Sequence, residues 1–413
     1  MRQVLKTAAI VLLCLLAVAA AFSAGFATHM VLAESRAASH TPSQQIVLLD
    51  STQPDEEEAG AFAVFWEAWH LVKQHFLGDL PAPQQVAYGA LKGALQELHD
   101  PYTIFVEPAN RELERDEHRG RFGGIGVWLY QRETDRRFIL KPQPDGPAAN
   151  AGILEGDVLV QVDDVMLSET MTVDQVAALV RGPVGTPVRI VVEREGRRLS
   201  FTITRQEYQT PSVEWRMLDD QAPHVGYLRI TMFTERTGAE VQSALQEMRA
   251  RGMEKLVLDL RDNPGGLLES ALDVASQFLR EGVLMYEVRR GGEEKSYPVR
   301  QGGTAGDIPM VVLVNGGTAS AAEIVAGALH DHQRAQLMGE KTYGKGSVQL
   351  VFDLSDGSSI HITVARWLRP SRMPIDGTGI EPDRVIVPTE EQRQQGVDAL
   401  LNAGVAALIA QAP

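Results

Sequence analysis

Residues Ile308 to His330 read IPMVVLVNGGTASAAEIVAGALH. The run from Ile308 to Val314 is apolar without alternation, as a strand covered on both faces should be. NGGTAS follows as a turn, and Ala321 to His330 has the small, apolar composition of a buried helix. The same alternation extends upstream. VGYLRI (Val225 to Ile230) reads as a strand and Thr237 to Arg251 as a helix; LVLDL (Leu256 to Leu260) is a strand ending in RDNPGG, and Leu267 to Leu279 returns to helical spacing. Strand and helix alternating over about 210–388 predict an α/β layer architecture.

The turn carries a serine, Ser320, and 25 positions later Lys345 stands between glycines in GEKTYGKGSVQ (Gly339 to Gln349). A serine hydroxyl becomes a good nucleophile when a base removes its proton, and a lysine serves once burial disfavours its charge. Placing Ser320 at a helix N-terminus adds free N–H groups and a dipole that favour a developing oxyanion. Lys345 and Gln349 are four apart, which puts them on one face of a strand, and Gln349 can orient an amine without stabilising its cation. Gly344 and Gly346 remove side chains from around the lysine. Each motif alone has a plainer reading: TAS as a helix cap, NPGG as a turn, a lysine between glycines as a loop residue. His330, Asp331 and His332 offer a rival Ser–His–Asp arrangement, but a helix starting at Ser320 carries His330 about 15 Å away. His361, in a strand-like run, has no assigned role.

Between Gly120 and Arg205 short β-like runs dominate, interrupted by one amphipathic helix, Thr172 to Arg181. DGPAANAGILEGDVLVQVDD (Asp145 to Asp164) resembles the core of PDZ domains, preceded by the glycine-rich FGGIGV (Phe122 to Val127). Such a loop exposes backbone N–H groups to a terminal carboxylate, and the strand after it offers an edge to a peptide. The resemblance implies peptide contacts from Phe122, Gly123, Gly124, Ile125 and Gly126, with Val176 and Leu179 from the helix. A strand after the glycines excludes a dinucleotide fingerprint.

The 413 residues carry a net charge of −15 and no basic stripe, which argues against nucleic acid as a partner. The one cysteine, Cys14, excludes disulfides and thiolate metal sites from the body of the chain. Cys14 lies within an apolar run from Thr7 to Leu32, after Arg2 and Lys6 and before the acidic Asp55 to Glu58. That run is long enough to span a bilayer, and its flanks place the rest of the chain on the non-cytoplasmic side. An uncleaved anchor is expected; cleavage, giving a secreted protein, stays open. His70, His75 and His99 match no compact ligand set.

Together DPYT (100–103), the PDZ core, LDLRDNPGG (258–266), NGGTASAAEIVAGAL, GEKTYGKGSVQ and GIEPDRVIV (379–387) resemble the C-terminal processing peptidases, tail-specific serine proteases of family S41 with an inserted PDZ domain. The resemblance implies a ClpP/crotonase-like α/β peptidase core with a mainly β PDZ insertion and an N-terminal helical segment. It further implies Ser320 as nucleophile, Lys345 as general base, Gln349 as its partner, and an oxyanion hole from Gly265 or Gly266 and Ala321. Thr318 departs from the Ser-Ala-Ser of many members. No cofactor or metal is required. The expected organisation is an anchor or signal segment at 1–33, a flexible linker at 34–59, a helical region at 60–111, PDZ at 112–208, peptidase core at 209–389 and a C-terminal helix at 390–413. The implied partners are proteins with accessible apolar C-termini, outside the cytoplasm, and the membrane through the N-terminal segment.

Two other readings stand beside this one: a non-catalytic PDZ-containing peptide receptor, and a crotonase-like acyl-CoA enzyme. The second conflicts with an extracytoplasmic location. The apolar helical spacing of Val397, Leu400, Leu401, Val405 and Leu408 fits either packing within the chain or a homo-oligomer contact.

Overall fold

The computed structural model describes residues 56–410 apart from 133, 390, 393 and 394. The apolar run Thr7 to Leu32 and most of the expected linker lie outside the described residues; no described helix is long and apolar enough to cross a membrane. The chain divides into two compact units, Met1–Leu80 and Pro81–Pro413. In the first, the described element is helix α1 (Glu56–His75).

The second unit begins with α2 (Pro83–Gln96), β1 (Ile104–Val106) and α3 (Pro108–His118), then β2 (Arg121–Gly124). The helix α3 is not apparent from hydrophobic spacing, because its sequence PANRELERDEH is almost wholly polar. Its start is set by Pro108 in the first turn. Fixed charges hold it: Arg111 Nε donates to Asp353 Oδ1 at 3.0 Å, and buried Asp116 accepts from Arg121 Nε at 2.9 Å.

A small β-domain follows. Strands β3 (Val127–Gln131), β4 (Phe138–Pro142), β5 (Val158–Val162), β6 (Val165–Met166), β7 (Pro187–Arg194) and β8 (Arg197–Thr204) form one sheet, with the short helix α4 (Pro147–Asn150) and α5 (Val173–Val180) beside it. Strand β3 pairs with β4 only, so its other edge is open, while β9 (Gln206–Gln209) returns to pair with β2. This is the expected mainly β insertion. Its core gathers Leu140, Ile153, Val176, Ile190 and Val192.

The remaining elements build the α/β core: β10 (Val213–Met217), β11 (Val225–Ile230), α6 (Thr237–Ala250), β12 (Lys255–Asp259), α7 (Leu268–Phe278), β13 (Val283–Arg289), β14 (Glu294–Pro298), β15 (Met310–Val314), α8 (Ala321–Asp331), β16 (Gln336–Gly339), β17 (Ser347–Asp353), β18 (Ser359–Leu368), β19 (Arg384–Val385) and α9 (Ala399–Ala410). One sheet has the order β10-β11-β12-β15-β16-β19, parallel throughout except for β10. Alternate side chains serve opposite faces. Leu256, Leu258, Met310, Val312 and Val314 pack with α6, α7 and α8, whereas Val257, Val311 and Leu313 pack with α9 through Leu400, Leu401, Val405 and Leu408. Four of the five apolar C-terminal positions are therefore spent within the chain, while Val397 is exposed. A second, antiparallel sheet of β1, β13, β14, β17 and β18 lies beside the first.

Ion pairs fasten α9 to the end of β12. Arg261 donates to Asp259 and, through both terminal nitrogens, to the Asp398 carboxylate at 2.8 and 2.9 Å; Tyr227 also donates to Asp259, which is 1% exposed. Arg261→Leu leaves that carboxylate without its cation and is expected to destabilise the fold by about 3–5 kcal/mol. The measure is the midpoint of chemical denaturation.

Candidate active site

Ligand sites in parallel α/β sheets form where loops leave the carboxyl ends of the strands. Strands β12, β15 and β16 are neighbours, and the loops that leave them are RDNPGG, NGGTAS and EKTYGK. Sheet order thus gathers three motifs that are far apart in sequence. Hydrogen bonds then zip the first two loops together. Asn315 Oδ1 accepts from Asp262 N at 2.9 Å, Asn315 Nδ2 donates to Asp262 Oδ1 at 2.8 Å, and Ala319 N donates to Asn263 O at 2.9 Å. Buried Thr318 donates from Oγ1 to Leu260 O at 2.8 Å and accepts from Asn315 N at 3.0 Å. The position needs a hydroxyl, so threonine in place of serine keeps these bonds.

Ser320 stands at the N-terminus of α8 with φ 54° and ψ −119°, a left-handed conformation for a residue with a side chain. Such backbones cost about 1–3 kcal/mol and persist only where neighbours hold them. The holder is Glu323, which is 0% exposed. Its Oε2 accepts from Ser320 N and from Lys345 N, both at 2.9 Å, while Oε1 accepts from Thr342 Oγ1 at 2.6 Å and Gly344 N at 2.8 Å. One carboxylate therefore clamps the serine turn to the lysine loop. Sequence reasoning missed Glu323, although a Glu at the third helical position after a serine is a capping signature that could have marked it; its reach to a loop some twenty residues away has no signal in the sequence.

Gly265 is pressed on this turn: a Cβ there would sit 2.8 Å from Ser320 Cβ and 3.0 Å from Ala321 N. Its own N–H donates to Asn263 Oδ1 at 2.9 Å, so among the three expected oxyanion donors it is already engaged. Among the described residues the N–H groups of Gly266 and Ala321 donate to no protein acceptor. Gly266 has φ 128° and bridges to Phe233, whose carbonyl leaves no room for a Cβ.

Lys345 is half-buried, and burial pushes its ammonium below the usual lysine range, partly opposed by the charge of Glu114. Among the described residues its Nζ makes no hydrogen bond to Ser320 or Gln349. The flanking glycines serve packing as much as access. A Cβ on Gly344 would meet Gly379 N at 2.8 Å, and one on Gly346 would meet Asp376 N at 2.3 Å. The expected shared strand face of Lys345 and Gln349 does not form, because β17 starts only at Ser347 and a bulge between Val348 and Gln349 breaks the alternation. Gln349 Nε2 donates instead to Ser347 Oγ at 2.8 Å and Thr363 Oγ1 at 3.2 Å. Its Oε1 accepts no bond from a described residue. The rival histidine is elsewhere: His330 lies in the last turn of α8 beside Asp383 and Arg369.

In the β-insertion a groove of about 260 Å³ opens between β3 and α5. Phe122, Gly124, Ile125 and Gly126 line it as expected; Val176 does not, being 0% exposed in the core of the β-domain, and Leu179 packs against that core. The helix instead turns Val173, Ala177 and Val180 to the groove, one residue off the expected face. Gly123 bridges to Gly182 behind the loop. Arg181 and Tyr208 are lining residues that sequence reasoning missed, since neither belongs to the glycine loop; the Arg181 guanidinium lies 4.6 Å from the centroid of the Phe122 ring and the Tyr208 ring stacks on it at 5.7 Å. Ile125 and Gly126 have N–H groups that donate to no described acceptor.

The profile of peptidase family S41 matches residues 224–386 and that of the PDZ domain residues 138–194. A carboxyl-terminal-processing protease of Synechocystis is 37% identical over 354 residues, covering 82% of each chain. The chain belongs to peptidase family S41. A second member, the carboxy-terminal-processing protease of Bartonella bacilliformis, is 33% identical over 358 residues, covering 85% of this chain and 81% of that one. Among solved structures, a photosystem II D1 C-terminal processing protease is 31% identical with a TM-score of 0.48, covering 82% of this chain and 98% of that one. This S41 chain is thus a serine-type peptidase with a PDZ domain.

Glu323→Gln replaces one of the four-bond acceptor's oxygens by an NH2 group that faces donors. Because misplacement of reacting groups by about 1 Å costs on the order of 100-fold, kcat on a peptide substrate is expected to fall about 100-fold. Anisotropy of a labelled tail peptide should show unchanged binding in the PDZ groove.

Proposed function

We propose that this S41 peptidase is an endopeptidase that cuts proteins near their C-termini, with Ser320 as nucleophile and Lys345 as general base. The observation that carries the reading is the Glu323 clamp, which sets the backbone nitrogens of Ser320 and Lys345 on one carboxylate oxygen. Lys345 Nζ takes the proton as Ser320 Oγ attacks the carbonyl carbon, then gives it to the leaving amine as the C–N bond breaks. Water hydrolyses the acyl-enzyme by the reverse proton path. The N–H groups of Gly266 and Ala321, at the positive end of α8, receive the oxyanion. Gln349 Oε1 orients the lysine amine once that side chain turns toward the serine.

The PDZ groove captures the substrate's tail. Its terminal carboxylate meets the N–H groups of Ile125 and Gly126 with Arg181 nearby, its backbone adds to the open edge of β3, and Trp128, Val173, Ala177 and Val180 take apolar side chains. The run Thr7 to Leu32 anchors the chain in the membrane with the peptidase on the extracytoplasmic side. The names borne by the relatives support the C-terminal specificity.

In the full-length chain, Ser320→Ala and Lys345→Ala are expected to abolish peptide cleavage, with a chelator having no effect; full activity in either variant overturns the mechanism. The neutral amine is the active form, so kcat/KM rises with pH through the lysine's titration. Since burial lowers that titration, the rise should fall below the ~10.4 of an exposed lysine.

Gly126→Ala tests the groove. Gly126 has φ 71°, and a Cβ would meet Tyr208 Oη at 2.3 Å. Binding of a labelled peptide with a free C-terminus should weaken by about 10–100-fold, the worth of a hydrogen bond to a charged group, while an amidated peptide changes little.

A further inference from the structure

Lys345 Nζ lies 4.9 Å from the centroid of the Tyr102 ring. That is within the distance at which an ammonium is attracted to an aromatic face. Among the described residues this nitrogen donates no hydrogen bond, and the ring is the group it lies over.

Tyr102 is fixed there by its own loop. Its N–H donates to Asp100 Oδ1 at 3.1 Å, Thr103 Oγ1 donates to Asp100 Oδ2 at 2.6 Å, and the same Thr103 oxygen accepts from Thr363 N at 3.1 Å. The last bond ties the loop to β18 at the residue whose hydroxyl accepts from Gln349. Burial, and then the hydrogen bond with Tyr343, push the Tyr102 phenol up, so the ring stays neutral across the working range.

Opposed forces act on the lysine. Burial favours the amine, whereas the charge of Glu114 on α3 and the ring face favour the ammonium. Asp376 and Glu323 add negative charge on the Tyr102 side, and Tyr343 bounds it. Only the ammonium is drawn to the ring, and only the amine can accept the serine proton.

We propose that Tyr102 is a positioning residue for Lys345: its ring face holds the ammonium away from Ser320 in the free enzyme and lets the side chain go on deprotonation, so that the ring sets the pH at which the base becomes available. The proposal rests on Lys345 being the base.

The test uses the full-length chain and the pH dependence of kcat/KM on a fluorogenic peptide, with fluorophosphonate labelling of Ser320 over the same series as a readout free of substrate binding. Tyr102→Leu is expected to move the rising limb to lower pH by about 0.5–1 unit, and Tyr102→Phe, which keeps the ring, to leave it in place. Tyr102→Met serves if the leucine variant does not fold. A limb unmoved in the leucine or methionine variant, or moved as far in Tyr102→Phe, overturns the proposal. Lys345→Ala separates the two levels: if inactive, an unmoved limb sinks the role of Tyr102 alone, and if active, the base assignment itself fails.

Discussion

The placing of the Ser320 turn against the Lys345 loop depends on one buried carboxylate. Glu323 sits in the first turn of α8 and accepts four hydrogen bonds, one from Ser320 in the serine turn and three from Thr342, Gly344 and Lys345 in the lysine loop. Burying such a group is unfavourable unless its oxygens are fully used, and here they are. The arrangement stabilises a left-handed serine and fixes the depth of the lysine loop together. Neither the turn nor the loop has to be rigid by itself.

Much of this was readable from the chain because the parallel sheet imposes strong patterning. Strands buried on both faces are continuous apolar runs, and the helices between them begin at recognisable turns; β15 and α8 lie within two residues of their expected limits. Topology did the rest, since neighbouring strands must present neighbouring loops. What was not readable depends on contacts distant in sequence or on small irregularities. The polar helix α3 is held by Asp353 and Arg121 rather than by an apolar stripe. A single bulge reassigns Gln349, and a rotation of one residue about α5 exchanges Val176 for Ala177 at the groove. Gly265 loses its free N–H to the side chain of Asn263, a bond that spacing cannot announce.

The two functional regions are linked by that same polar helix. Arg111 near its start is bonded to the sheet that carries Gln349, and Asp116 near its end is bonded to Arg121 on the strand leading into the PDZ loop. Glu114 lies between them and acts on the lysine through its charge. Ion pairs of this kind are directional and exchangeable, unlike an apolar interface.

The convergence of three loops on the ends of β12, β15 and β16 has a dynamic consequence. Apart from Lys255 and Gln336 at their starts these strands are buried, so moving the backbone that carries the three loops requires disturbing the central sheet, which places it at the high-stability end of local opening. The PDZ groove, by contrast, is bounded by one open strand edge and one helix. Under the proposed function, control of proteolysis falls to side-chain rotation beside Ser320 and to tail capture in the groove, with the backbone of the three loops acting as the stationary frame.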